Sequence, residues 1–262
     1  MNDNGPMSDR VIVEVADGVA RVRLNRPDKR NALDGEMFQA IADAGEGLKG
    51  ASEVRAVVLS GEGKSFCAGL DLALLGQLDG AAEGVHPGTM QPSGATHLGQ
   101  QVAWVWQELP VPVIAAVHGH ALGGGLQIAL GADIRIIHPE TELSVREVHW
   151  GLVPDMTGTL SLSRLLRPDV AKELTFTARV FDGREAAAIG LATRLSEDPV
   201  AEALELAAEI AARSPDAIRA AKRLLNRLGN HDAIQQFAEE RREIASVLAD
   251  GSGPLATDRS VR

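Results

Sequence analysis

The stretch from Val111 to Leu130 reads VPVIAAVHGHALGGGLQIAL. Its first seven residues form a short apolar run rich in branched side chains, which predicts a buried strand over 111–117. The glycines at 123–125 predict a turn, and the apolar residues at 126–130 predict the start of a helix. Ile134–Ile137 then predicts another strand. A strand, a helix and a strand at this spacing indicate an α/β fold rather than separate all-α and all-β halves.

The residues before this stretch extend the α/β pattern. Apolar and polar residues alternate from Val11 to Leu24 around Asp17-Gly18, a pair that favours a tight turn, so a β-hairpin is predicted. Asp34 is placed to cap a helix that runs to about Leu48. A third strand is predicted over 55–60, and the glycine-rich stretch 76–94 is predicted to be a long loop of functional importance.

The composition changes beyond Pro199. Alanine, leucine, glutamate and arginine dominate there, and helical patterns occupy 199–213, 215–228 and 232–249. We therefore predict two parts, a core domain over 10–198 and a helical segment over 199–262. A helical segment with an apolar face is expected to pack on the core or on a neighbouring subunit.

The composition excludes several classes of protein. The formal net charge of −10 argues against a surface that binds nucleic acid or an anionic membrane. The longest apolar run, Leu109–Val117, is about half of what a membrane helix needs. Cys67 is the single cysteine, so no intrachain disulfide is possible, and the polar start at 1–10 lacks the apolar region of a secretion signal. A cytoplasmic protein is expected. His118, His120 and His149 lack the spacing of metal ligands, so no metal is predicted.

Two glycine-rich segments carry the chemistry. Both Ser60–Leu72 and Val117–Gln127 follow a predicted strand and lead into an apolar stretch. Unpaired N–H groups at such a strand-to-helix turn suit a developing negative charge. Two neighbouring turns could direct two N–H groups at one carbonyl oxygen, as an oxyanion hole made of backbone. The spacing from Gly119 to Gly125 does not match the G-x-G-x-x-G pattern of a dinucleotide site.

These segments resemble the crotonase superfamily, the enoyl-CoA hydratases and isomerases. The resemblance rests on four motifs in the order of the family, and it covers about residues 10–250. The motifs are NRPDKRNAL at 25–33, SGEGKSFCAGLDL at 60–72, VHGHALGGGLQ at 117–127 and EVHWGLVPD at 147–155. The resemblance implies an α/β spiral of ββα units with a C-terminal helical trimerisation segment. It also implies homotrimers or dimers of trimers that bind acyl-CoA thioesters, with coenzyme A as part of the substrate and no separate cofactor.

The resemblance also implies the catalytic residues. The oxyanion hole would consist of the N–H groups of Leu70 and Gly124. Family hydratases carry two glutamates, and here the first position is Gln127 whereas the second is Glu147. An amide cannot exchange a proton at neutral pH, although it can bind a substrate group or water. Asp155 stands where the dienoyl-CoA isomerase branch carries an aspartate, but that branch also has an aspartate at the position of Gln127. Without the family, Asp155 is also a candidate helix cap.

One carboxylate suffices for migration of a double bond, whereas hydration normally divides its proton transfers between two acids. We therefore predict an isomerase of enoyl- or dienoyl-CoA with Glu147 as base and Asp155 as its partner. The alternatives are hydration of a 2-enoyl-CoA, another crotonase chemistry such as thioester hydrolysis, and a protein that binds acyl-CoA without catalysis. The chain has no tyrosine, so no phenol is available for proton transfer.

Binding of coenzyme A by an acidic protein requires a local basic patch. The family binds the nucleotide near the first motif, so Arg26, Lys29 and Arg30 are candidate phosphate ligands. The backbone of Ala68 is the position that typically meets the adenine. The C-terminal stretch 251–262 lacks the basic tail with which the family usually contacts coenzyme A.

Overall fold

A computed structural model describes residues 9–75 and 86–228 of the chain. Most of the loop predicted at 76–94 and the whole helix predicted at 232–249 lie outside these residues. The strands are β1 Val11–Ala16, β2 Val19–Leu24, β3 Ala56–Gly61, β4 Val113–Val117, β5 His120–Leu122, β6 Ile134–Ile137, β7 Glu142–Ser144 and β8 Arg194–Leu195. The α-helices are α1 Gly35–Lys49, α2 Leu72–Leu75, α3 Leu98–Glu108, α4 Gly124–Leu130, α5 Gly158–Leu165, α6 Pro168–Thr177, α7 Gly183–Ala188, α8 Pro199–Ala211 and α9 Pro215–Arg227. Short 3-10 helices span Pro27–Lys29 and Glu147–Trp150.

A six-stranded sheet in the order β1-β2-β3-β4-β6-β8 forms the centre of the fold. The first two strands are antiparallel, and every other pair is parallel. The predicted hairpin is confirmed: Asp17 and Gly18 form its turn with φ of +50° and +79°, the left-handed backbone that a two-residue turn requires. Strands β5 and β7 form a separate parallel pair. Because parallel strands end at one edge, the loops after β3 and β4 lie side by side.

Local signals explain where the long helices begin. The carboxylate of Asp34 accepts a hydrogen bond from the N–H of Met37, so the predicted cap of α1 is confirmed. Helix α4 begins at Gly124, within the glycine cluster that predicted only a turn. Glycine permits this early start because a side chain at Gly125 would lie 2.2 Å from the carbonyl oxygen of Cys67. Helix α4 therefore begins directly against the loop that follows β3.

Two apolar cores cover the two faces of the sheet. The larger core includes the fully buried Trp106, Phe38 and Phe66. The smaller core lies under α8, which presents a stripe of small side chains to β2, β3, β4 and β6. This stripe consists of Ala203, Ala207 and Ala211. Helix α8 belongs to the segment predicted at 199–262 and packs on the sheet, whereas the boundary at 198 stays a prediction.

Lys222 links helix α9 to α3 and to the segments that precede β4 and β6 through three hydrogen bonds. Its ammonium group donates to the carbonyl oxygens of Trp106 and Val111 over 3.0 and 2.9 Å, and to the carboxylate of Asp133 over 2.8 Å. Three donors thus meet three acceptors in a site where Lys222 is only 6% exposed. Burial lowers the pKa of this lysine, and Asp133 opposes that shift.

In the two stretches that the structure describes, no helix is both long and apolar enough to span a bilayer. Nor do the same residues include three or more histidine, cysteine, aspartate or glutamate side chains grouped to hold a metal ion.

Candidate active site

The loop 67–71, which follows β3, is held by the segment 30–33. The N–H of Leu33 donates to the oxygen of Gly69 over 2.8 Å, and the N–H of Asp71 donates to the oxygen of Leu33 over 3.0 Å. These two bonds form a parallel bridge centred on Leu70. In such a bridge the central residue directs its own N–H away from the partner strand. The N–H of Leu70 therefore faces away from Leu33, and it makes no hydrogen bond to any described residue.

Asn31, for which the motifs predicted no role, joins the segment 30–33 to the loop that follows β3. Its side chain is fully buried and accepts from the N–H of Arg26 over 2.7 Å. Its amide group donates to the oxygens of Glu62 and Ser65 over 3.0 and 2.8 Å. Its φ of +57° is one that asparagine tolerates better than most residues. An asparagine in a motif next to a turn is the signal that could have identified it.

Gly124 brings a second free N–H group close to the loop that contains Leu70. It is the first residue of α4, where the N–H has no partner within the helix. Gly69 makes the close approach of the two loops possible. A side chain there would lie 2.5 Å from the oxygen of Leu122 and 3.7 Å from the nitrogen of Gly124. Leu70 and Gly124, the two predicted oxyanion donors, thus lie on adjacent loops and line one cavity.

Glu147 brings a buried carboxylate to this cavity. It begins the 3-10 helix Glu147–Trp150 and is 9% exposed. One carboxylate oxygen, Oε1, accepts a hydrogen bond from Gln127 over 2.5 Å. The other, Oε2, is buried and has no hydrogen-bond partner among the described residues. Burial raises the pKa of Glu147, although the hydrogen bond from Gln127 opposes this shift. A buried oxygen of this kind can accept a proton from a molecule in the cavity.

Gln127 uses both ends of its side chain inside the protein. Its Oε1 accepts from the N–H groups of Met156 and Gly158, each over 2.9 Å. Because these two donors fix the oxygen, the NH₂ group must be the end that faces Glu147. Gln127 is 2% exposed and does not line the cavity. The structure therefore places it behind Glu147, where it orients the carboxylate.

The cavity between these loops has a volume of about 540 Å³. Its walls combine the two free N–H groups and Glu147 with apolar and basic side chains. The lining residues are Lys29, Ala32, Ala68, Gly69, Leu70, Asp71, Leu72, Leu122, Gly123, Gly124, Arg146, Glu147, Trp150 and Leu152. The predicted residues Lys29, Ala68, Leu70, Gly124 and Glu147 are thus brought together. The cavity combines two free N–H groups, the buried carboxylate of Glu147 and a mostly apolar wall, an arrangement suited to removing a proton next to a carbonyl group.

Asp155 lies outside the cavity wall and is exposed. Its charge nevertheless acts on Glu147, since it contributes to the raised pKa of that carboxyl. The alternative that Asp155 caps the following helix is wrong. The residue at that position is Thr157, whose side chain makes no capping bond and whose φ is +67°.

The three candidate phosphate ligands have different surroundings. Lys29 is exposed and lines the cavity, and Arg30 is exposed beside it. Arg26 points elsewhere: its guanidinium donates to Asp71 over 2.6 Å and lies 3.4 Å from Asp34. The N–H of Ala68 donates to the oxygen of Arg30, so that N–H is already used within the protein.

Arg146, Trp150 and Leu152 line the cavity but were not predicted. Trp150 and Leu152 are 47% and 36% exposed, which is high for large apolar side chains. Their position directly after Glu147 in a candidate motif is the signal that could have identified them.

Cys67 is a packing residue. It is fully buried, and its thiol donates to the oxygen of Asn31. Burial raises its pKa to about 12, so the thiolate needed for nucleophilic chemistry does not form at neutral pH.

Comparison with known proteins identifies the family to which these motifs correspond. Residues 14–252 match the enoyl-CoA hydratase/isomerase family. A short-chain-enoyl-CoA hydratase of Clostridium acetobutylicum is 37% identical over 222 residues, which cover 84% of this chain and 82% of that protein. A mitochondrial Δ(3,5)-Δ(2,4)-dienoyl-CoA isomerase of Mus musculus is 34% identical over 222 residues, which cover 78% of this chain and 64% of the isomerase.

Solved structures confirm the predicted fold class. The enoyl-CoA hydratase of Mycobacterium tuberculosis H37Rv aligns with a TM-score of 0.77 at 29% identity, over 92% of this chain and 90% of that one. A homologue from Thermobifida fusca YX, solved in complex with acetoacetyl-CoA, aligns with a TM-score of 0.82 at 36% identity. That alignment covers 92% of this chain and 96% of the homologue.

Proposed function

Since the chain belongs to the enoyl-CoA hydratase/isomerase family and is an enzyme of the crotonase type, we propose that it moves a double bond within an enoyl- or dienoyl-CoA thioester. The observation that carries this proposal is the single carboxylate oxygen Oε2 of Glu147. It is buried without a described partner, and it belongs to a residue that lines the same cavity as Leu70 and Gly124.

The thioester would bind with its carbonyl oxygen at the N–H groups of Leu70 and Gly124. The complex of the Thermobifida fusca homologue with acetoacetyl-CoA supports a thioester ligand. Lys29, which is exposed and lines the cavity, and the exposed Arg30 that follows it in the chain would meet the phosphates of coenzyme A. No separate cofactor enters the proposal, because the proton transfers need only an acid or base and a stabilised oxyanion.

For a 3-enoyl-CoA, Glu147 Oε2 would take the proton from C2. The electron pair of the broken C–H bond then forms a dienolate whose charge rests on the thioester oxygen, between the two N–H donors. The protonated Glu147 returns the proton to C4, so the double bond moves from C3–C4 to C2–C3. Atoms and electrons balance without water. Each N–H donor of such a hole is typically worth about 3–4 kcal/mol in the transition state.

Gln127 distinguishes this proposal from hydration. Adding water needs one group to activate it and another to deliver a proton, and Gln127 can do neither. Its oxygen and its NH₂ group are also already bonded within the protein. Hydration of a 2-enoyl-CoA stays the second candidate because the relative from Clostridium acetobutylicum is a hydratase. In that case Asp155 would have to supply the second acid, although it is exposed and outside the cavity wall.

A substrate panel tests the proposal. The purified protein is incubated with matched 2-enoyl-, 3-enoyl- and 3,5-dienoyl-CoA, and both the double-bond position and any 3-hydroxy product are measured. We expect conversion of the 3-enoyl- or dienoyl-CoA that is lost in the Glu147→Gln variant. Faster hydration of the 2-enoyl-CoA that depends on Glu147 would establish the hydratase instead. Binding of every thioester without turnover would identify a non-catalytic acyl-CoA-binding protein.

We also propose a homotrimer or a dimer of trimers. Large exposed apolar side chains support an association of copies. They include Val148, Trp150, Val153, Phe176 and Val180. Sedimentation equilibrium of the full chain would give the mass of the assembly, and a monomeric mass would contradict this part of the proposal.

A further inference from the structure

Arg26 was a candidate phosphate ligand, yet its surroundings point to another role. Its side chain is only 13% exposed and it lies outside the cavity wall. Two carboxylates, those of Asp71 and Asp34, face its guanidinium at 2.6 and 3.4 Å. A cation that is already neutralised in this way has little left to offer a phosphate group.

The contacts of Arg26 converge on the loop that carries Leu70. Its Nη1 donates both to Asp71, the residue directly after Leu70, and to the oxygen of Ala32 over 3.1 Å. Ala32 immediately precedes Leu33, which makes the two backbone bonds on either side of Leu70. One guanidinium group thus clamps the residue after Leu70 to the segment that supports it.

Asp71 binds Arg26 as an ionised carboxylate. Its Oδ1 accepts from the N–H of Ala73, at the start of α2, and its Oδ2 accepts from Arg26. The hydrogen bond from Ala73 and the contact with Arg26 hold the pKa of Asp71 below its ordinary value, and Lys29 adds to this effect. The carboxylate therefore stays charged, and its two oxygens tie α2 and Arg26 to one residue next to Leu70.

We propose that Arg26 is a positioning residue which, through Asp71, holds the N–H of Leu70 toward the cavity. The inference rests on the proposed function, since it assigns Leu70 a role in binding the thioester carbonyl. The guanidinium of Arg26 meets Asp71 and the oxygen of Ala32 through Nη1 and Asp34 through Nε, whereas a lysine has only one nitrogen from which to reach these three groups. Arg26 would therefore act on the chemical step, whereas Lys29 and Arg30 would act on binding of coenzyme A.

The test compares Arg26→Met with Arg23→Met. Arg23 is a matched control: it lies three residues earlier, its side chain is 23% exposed, and it also contacts two carboxylates, those of Glu14 and Glu62. We expect Arg26→Met to lower kcat about 10- to 100-fold, the order of loss caused by a misplaced catalytic group, with KM changed less than about threefold. Arg23→Met is expected to keep kcat within about twofold of the unchanged protein. Arg26→Lys should recover only part of the loss.

Asp71→Asn provides a second variant of similar shape. Ala73 and Arg26 donate to two different oxygens of Asp71, and an asparagine keeps an oxygen at only one of these positions. With that oxygen held by the backbone N–H of Ala73, the NH₂ group faces Arg26 and the contact with Arg26 is lost. We expect a smaller loss of kcat in the same direction. The double variant Arg26→Met with Asp71→Asn should be no slower than Arg26→Met alone, because both changes break one contact. Additive losses would overturn the proposed route through Asp71.

Infrared spectroscopy of bound butyryl-CoA, labelled with ¹³C at the thioester carbonyl, separates the two proposals. This saturated thioester has no double bond to move, and its carbonyl frequency falls when hydrogen bonds polarise the bond. We expect a lowered frequency in the unchanged protein and in Arg23→Met, and a smaller shift in Arg26→Met. No lowering in the unchanged protein would contradict the proposed function itself. Equal lowering in the unchanged protein and Arg26→Met, with equal kcat, would overturn only the role of Arg26.

Discussion

Gln127 donates a hydrogen bond from its NH₂ group to one carboxylate oxygen of Glu147 over 2.5 Å, while the other oxygen faces no described partner. The two residues lie 20 positions apart, on α4 and on the 3-10 helix Glu147–Trp150. One oxygen is therefore held in place by the protein, and the proposed function assigns proton transfer to the other. The first three predictions follow from this difference between the two oxygens of Glu147.

The activity should depend on ionisation of Glu147. Because burial raises the pKa of this carboxyl, kcat/KM should rise with pH through a midpoint above the ordinary value of 4.5. In Glu147→Gln, kcat should fall about 10²- to 10⁴-fold and this limb of the profile should disappear. Steady-state rates between pH 4 and 9 provide the measurement, with the affinity for butyryl-CoA as a control for binding. A variant that keeps the limb would show that another group titrates.

Glu147→Gln should also change the stability in a pH-dependent way. A carboxyl whose pKa is raised in the folded protein favours folding below its ordinary pKa, and that contribution is lost as the pH rises through the folded value. At pH 8 the ionised Glu147 therefore disfavours the folded state, and the neutral variant should melt higher, on the order of a few degrees. Calorimetry should show this difference narrowing toward pH 4. A lower Tm of the variant at pH 8 would contradict the sign.

Gln127→Glu should alter which reaction the site performs. The new carboxyl can still accept from Met156 and Gly158 but would bring a second acid against Glu147. Like charges raise the pKa of the pair, so the acid limb of kcat/KM should move to higher pH. A second acid also permits hydration, and the ratio of hydration to isomerisation should rise at least roughly tenfold. The matched control Gln127→Met removes the hydrogen bonds without adding an acid, and an equal rise there would refute this explanation.

Gly124→Pro should remove one of the two proposed carbonyl-binding donors. Proline is compatible with the first position of a helix, and it lacks the N–H group. Losing one such donor typically costs about 10²- to 10³-fold in kcat. Gly124→Ala is the control because it adds a Cβ but keeps the N–H. That Cβ would meet only the ends of Met156 and Leu33, at 2.9 and 3.0 Å. Full activity of the proline variant in a folded protein would exclude Gly124 as a donor.

Gly158→Ala should displace Gln127, the residue that orients Glu147. A Cβ at Gly158 would lie 2.5 Å from the oxygen of Gln127 and 2.8 Å from two of its carbons. We expect a loss of about 1–3 kcal/mol in the free energy of unfolding, together with a lower kcat as Gln127 moves from Glu147. Gly47, inside α1, has nothing within 4 Å of an added Cβ, and Gly47→Ala should be neutral or stabilising. Denaturant unfolding of both variants makes the comparison.

Features that depend on neighbouring residues could be predicted from the sequence. The turn at Asp17-Gly18 and the cap at Asp34 are examples, since both rest on contacts within a few positions. The family motifs also located Leu70, Gly124 and Glu147, which the structure brings to one cavity. Motif position sufficed there because both N–H groups belong to the backbone, and the loops after adjacent parallel strands must meet.

Long-range contacts explain what the sequence could not show. Arg26, Lys29 and Arg30 look equivalent in one basic motif. In the structure, however, Arg30 adopts a left-handed backbone, and Arg26 binds the carboxylate of Asp71, which lies 45 positions away. Gln127 was expected to meet the substrate, yet two N–H groups about 30 positions away occupy its oxygen. Such partners are set by tertiary packing, which no local pattern encodes.

The main-chain origin of the two free N–H groups also has a consequence for mutagenesis. Alanine scanning shortens side chains and leaves the peptide group of Leu70 and Gly124 unchanged. A scan of the whole chain would register the carboxylate of Glu147 and its supports, but it would miss the two N–H groups to which we assign binding of the carbonyl. Replacement of single amides by esters through chemical ligation would reveal them, because an ester keeps the shape of the backbone and has no hydrogen to donate.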